Sequence, residues 1–158
     1  NQPYAGNGGG VVRVEAGGTV TLYGTLRANG DATFGLHGAG GAGGSILLAC
    51  NRFVSTNTAR LWAYGQAGTG NGGAGGGGRI ALWYGGVQSA DRAKLLAGDN
   101  AGVQNLSVTN SYSEFLGALS VTNGTGYINP PAAGAADPGS AVFLTSGHLR
   151  RGTIYSIR

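Results

Sequence analysis

The chain has 158 residues, of which 34 are glycine, and only 10% are charged, leaving a net charge of +4. That length suits one domain with its own core, and the apolar residues fall in short β-branched and aromatic runs between glycines, which excludes a solvated linker. The nine arginines are scattered rather than clustered, so nucleic acid is not an expected partner, and no apolar run approaches the ~18 residues of a membrane span.

Residues 1–10 (NQPYAGNGGG) read as a loop, with Tyr4 its one anchor. VVRVEA follows, then a turn at Gly17-Gly18, then TVTLYGTLRANG, in which Val20 and Leu22 alternate with threonine. Period-two alternation bounded by glycine predicts strands. The same junction of glycine and strand returns at SILLAC and again at RIALWY, after the tracts at 35–44 and 65–78. Val12, Ile46 and Ile80 are spaced by 34 and 34, and Leu26 to Gly30 matches Leu61 to Gly65 at an offset of 35. A unit that recurs at fixed spacing predicts stacked coils, each burying its apolar face on the next. The expected fold is therefore all-β, a parallel β-helix or β-solenoid of about four to five coils, with residues 1–86 regular, 87–104 a helical insertion and 105–158 degenerate coils.

Glycines three apart (Gly35, Gly38, Gly41 and Gly44; Gly72, Gly75 and Gly78) match a polyproline-II-type helix, in which one glycine face admits a neighbouring backbone. Polyglycine-II-like packing between coils is one reading of the tracts; flexible loops are the other. After Tyr84, Ser89 is a suitable N-cap, Asp91 falls in the first turn and Gly98 is a stop, so one short surface helix is expected. Two LSVTN pentapeptides, 106–110 and 119–123, are strands of a further coil or of a hairpin. NPPAAGAADPG then leads into SAVFLTS in the manner of the earlier junctions, and GTIYSIR is expected to be a last strand.

Catalysis is not expected. Glycoside hydrolysis needs two carboxyl groups in one cleft, and Glu15, Asp31, Asp91, Asp99, Glu114 and Asp137 are each isolated. His37 and His148 have no partner at ligand spacing and Cys50 is not near either, so no metal and no cofactor are expected. The G-x-G-x-x-G strings at 38–43 and 68–73 are each followed by a strand, whereas a dinucleotide site needs a helix there. Cys50 cannot form an intrachain disulfide, being alone, and is expected to be a buried structural thiol. Thr19 and Thr21, and Thr56 and Thr58, resemble the T-x-T pairs of ice-binding solenoids. Asn105 and Asn123 begin glycosylation sequons.

The run GGTVTLYGTLRANG, with GGAGGGGRIALWYG after it, resembles the glycine-rich β-helix repeats of large secreted surface proteins, autotransporter passengers and adhesins among them. This resemblance implies an extracellular or cell-surface scaffold or adhesin, and no catalytic residue carries over. A start at Asn1 without Met is expected of a processed form or an excised piece. Short solenoids with unsealed ends recruit other chains, so a self-assembling head-to-tail fibre or surface scaffold is the expected function, with other copies of the chain as partners. A glycan-binding adhesin module using Trp62, Trp83 and Tyr84 is the alternative; those aromatics also suit core or interface packing. Ice binding and polysaccharide chemistry stand behind both.

Overall fold

The computed structural model describes residues 5–87, 89–99, 107–109, 112–125 and 136–145. The expected last strand, together with Asn105 and His148, lies outside them. Among the described residues the regular elements are ten strands and one short helix.

Three strands, β1 (Val11–Glu15), β2 (Thr19–Leu22) and β3 (Thr25–Arg27), are followed by three counterparts, β4 (Ser45–Ala49), β5 (Arg52–Ser55) and β6 (Arg60–Trp62). Each pairs in parallel with its counterpart. β7 (Arg79–Tyr84) then joins β4, β9 (Ala118–Ser120) joins β6, and β10 (Ser140–Thr145) joins β7, all in parallel. Parallel neighbours cannot be joined by a hairpin and need a long crossover. Here the glycine tracts and the intervening strands make it.

Register fixes what lies inside. Val12, Ile46, Ile80 and Ala141 form one row, and Val14, Leu48, Leu82 and Phe143 the next but one. On the other sides Val20 meets Phe53, and Leu26, Leu61 and Leu119 line up. Ile46, Leu48, Phe53, Leu61 and Leu82 are fully buried, each contributing about 1.5–3 kcal/mol by leaving water. Phe53 stacks on Phe115, with ring centroids 6.1 Å apart, and Phe115 touches Phe143.

The helix α1 (Ser89–Leu96) lies against the outward face of the β1-β4-β7-β10 sheet. Its Leu95, with Val87, packs on Ala49, Trp83 and Leu144. Gly98, at φ +80°, ends it: the Gly98 N–H reaches Leu95 O and the Asp99 N–H reaches Lys94 O, an arrangement that a left-handed glycine permits. Arg92 pairs with Glu15, which Arg13 also holds, so the helix is tied to β1.

The two LSVTN copies part company. β9 is formed around the second and runs parallel to β6, whereas β8 (Ser107–Thr109), within the first, runs antiparallel along β10. The region 105–158, whose LSVTN segments suit a further coil or a hairpin, thus contains one strand that turns back on the sheet edge.

Glycine segments pass beside one another with hydrogen bonds at every third residue. Gly6 and Gly9 donate to Ala39 O and Ala42 O at 2.8 Å, and Gly40 and Gly43 to Gly73 O and Gly76 O at 2.9 and 2.8 Å. Within a layer, Gly41 and Gly44 donate to Asp31 O and Ala28 O, and Gly75 and Gly78 to Gln66 O and Ala63 O. Added side chains at Gly43, Gly44, Gly75 or Gly78 would strike neighbouring carbonyl oxygens. Close backbone approach is the reason for glycine at these positions.

Candidate functional site

β1, β2 and β3 form a first layer that differs from the β4, β5 and β6 layer it pairs with. β1, β2 and β3 stand at the ends of their sheets, so the outward N–H and C=O groups of each form an open edge. The inward side chains of this layer, Val12, Val14, Val20, Leu22 and Leu26, are only partly buried, while their row partners Ile46, Leu48, Phe53 and Leu61 are sealed. Val11 is 77% exposed. The core therefore opens to solvent at this end, rimmed by the Arg13–Glu15 pair and by Asn7, which donates to Asp31 at 3.2 Å.

Arg13 is the main cause that holds the Glu15 carboxyl below its ordinary range, against partial desolvation, with Arg92 adding to it. Burial pushes the Cys50 thiol up, and burial raises Tyr112 as well.

The aromatics expected as a cluster are separated. Trp83 is buried beneath α1, and its indole serves packing. Tyr84 faces inward against Tyr112, centroids 4.2 Å apart. Trp62 stands half-exposed on β6, with Tyr64 at 6.0 Å and the Arg27 guanidinium 5.1 Å over its ring. Beside them lies a shallow groove of about 300 Å³ lined by Arg27, Asn29, Asp31, Tyr64 and Gln66. Asn123 is exposed next to the glycine layer.

Other candidate chemistry is absorbed by local structure. Glu114 pairs with Arg52 at 2.9 Å. His37 adopts φ +71° at the bend between outgoing and returning segments, where its Nδ1 accepts from the Asn71 N–H. Thr69 Oγ1 bridges the same bend, donating to Gly35 O and accepting from the Gly38 N–H. Thr21 lies opposite Val54, and Thr56 and Thr58 bond one another in the turn after β5, so the two T-x-T pairs form no aligned array. Among the described residues no group of three or more His, Cys, Asp or Glu converges on a metal-sized site, and no helix is long and apolar enough to cross a membrane.

Comparison with protein-family models, with curated proteins and with solved structures found no match for the chain. The feature that residue spacing did not reveal is the grouping of Trp62 with Tyr64 and Arg27 beside the groove.

Proposed function

We propose that the protein is a non-enzymatic structural scaffold of the cell exterior. It is a short β-solenoid, three strand rows closed on their remaining side by polyglycine-II-type segments, and it joins other copies of itself head to tail through its open strand edges. One observation carries this: strand rows and glycine rows keep a single layered order, with Val12, Ile46, Ile80 and Ala141 in line. The Ser45, Arg79 and Ser140 N–H groups correspondingly bond the oxygens of Gly10, Gly44 and Gly78. Hydrogen bonds at every third residue are what the three-residue turn of such a helix requires. A body of this kind is stiff, because each layer is clamped to its neighbours by backbone bonds on all sides. The extracellular setting is carried by the resemblance to secreted surface solenoids.

Electron microscopy of the purified full chain tests the scaffold. Ordered assemblies larger than one chain are expected; single particles at every concentration would contradict self-association.

A glycan-binding module is the second reading, favoured by the Trp62–Tyr64 pair beside a groove lined with Asn29, Asp31 and Gln66. Sugars bind aromatic faces flanked by such hydrogen-bonding groups. Glycan-array binding that disappears in Trp62→Ala while the fold persists would select it.

A further inference from the structure

Register sets the outward face of the main sheet as firmly as the inward one, because successive side chains of a strand point to opposite faces. Leu47, Ala81 and Val142 stand in one outward row, Ala49, Trp83 and Leu144 in the next, and Ser45, Arg79 and Ser140 in the row before. Helix α1 lays Leu95 over the row of Ala49, Trp83 and Leu144, and leaves Leu47 and Ala81 only partly covered. Ala81 is the shortest side chain of its row, so the face is hollow between Leu47 and Val142.

The hollow holds about 340 Å³, which falls in the range of small-molecule sites. Ala81 and Val142 are its floor, and Trp83, Leu144 and Leu95 close its apolar end. The opposite end is polar. There the exposed Arg79 and Ser140 stand side by side in register. Arg79 forms no ion pair with any described acid, Asp99 beside the Gly98 rim included. A guanidinium without a carboxylate of its own, at one end of an apolar hollow, is complementary to a ligand that is anionic at one end and apolar at the other.

From this we infer that the hollow between α1 and the outward face of β7 and β10 binds a small carboxylate with an apolar tail. The carboxylate lies on Arg79, whose planar fork accepts both oxygens, and the Ser140 hydroxyl supplies a further donor. The tail runs over Ala81 and Val142 toward Trp83. Arg79 and Trp83 are separated by about 13 Å of parallel strand, a span that suits a medium-chain acyl group rather than a short acid. β7 and β10 each have a hydrogen-bonded neighbour on both sides, so the site belongs to the flank of the sheet and does not rest on the scaffold reading or on the open edges it uses.

Isothermal titration calorimetry of the full chain with hexanoate, octanoate, decanoate and decanol tests the site. Decanoate is expected to bind once per chain, with affinity rising about fourfold for each methylene from hexanoate upward. Arg79→Gln, at an exposed position, is expected to keep the fold by circular dichroism and to weaken decanoate by more than about tenfold while leaving decanol unchanged. Ala81→Leu, which fills the hollow, should weaken decanoate and decanol alike; should that variant fail to fold, Arg79→Gln decides alone. Absence of decanoate binding to the wild type, or binding that Arg79→Gln leaves intact, would overturn the inference. So would decanol held as tightly as decanoate, since the charge at Arg79 would then select nothing.

Discussion

Gly44 carries no side chain because the carbonyl oxygen of Gly10 occupies that space, and the same oxygen accepts the Ser45 N–H at 3.0 Å. One atom thus fixes the spacing of the glycine rows and the start of the β1–β4 ladder. Gly44→Ala forces the two layers apart, and the expected loss is at least the ~1–3 kcal/mol typical of overpacking. Gly10→Ala meets nothing and should leave the fold unchanged or raise its stability by about 0.4–1 kcal/mol through the unfolded chain. Urea denaturation of the two variants, at concentrations where the chain is monomeric, checks the contrast; equal effects would contradict the layered packing.

Depth in the stack should set the effect of core truncation. Phe53 is fully buried between Val20 and the ring of Phe115, so Phe53→Ala is expected to remove about 3–5 kcal/mol. Val12→Ala, on the half-covered first layer, should remove less than about 1 kcal/mol. Thermal and chemical unfolding would compare them.

Much of this arrangement can be read from the residues. Spacing of 34 from Val12 to Ile46 to Ile80, and of 35 from Leu26 to Leu61, is the register of those rows. Ser89, Asp91 and Gly98 bracket the helix. The offset of 33 between β2 and β5 was less legible, since it depends on turn lengths. Three residues separate β1 from β2 where two separate β4 from β5, and two separate β2 from β3 where four separate β5 from β6. Identical LSVTN segments could not reveal their opposite strand directions, because neighbours rather than local sequence decide pairing. By sequence Trp83 suits packing or binding alike, and α1 laid over it assigns it to packing.

Acid should loosen the helix from the sheet before it melts the core. Arg13, and after it Arg92, favour the charged form of Glu15 and lower its pKa from 4.5. A depressed carboxyl contributes stability that is full above the unfolded value and is lost as pH falls through the folded one. Tryptophan fluorescence of Trp83, beneath α1, is expected to change as pH drops below about 4.5, and Glu15→Gln should abolish that step. An unchanged acid profile in the variant would exclude the Arg13–Glu15–Arg92 cluster as the tie.

Cys50 should be inert in the native state. Burial raises its pKa above 9.0, so little thiolate forms at neutral pH. The unfolded chain ionises first, and stability from this group is lost as pH rises past 9.0 toward the higher folded value. Thiol-reagent labelling is expected to follow global unfolding in urea; rapid labelling of the folded chain would place Cys50 at the surface.

Everything above depends on the glycine tracts being ordered layers, and backbone amide hydrogen exchange reads that residue by residue. The amides of Gly40, Gly43, Gly75 and Gly78, each bonded to a neighbouring segment, are predicted to exchange as slowly as those of β4 and β7. Exchange of these four at the rate of an unstructured chain, with the strands still protected, would contradict the account.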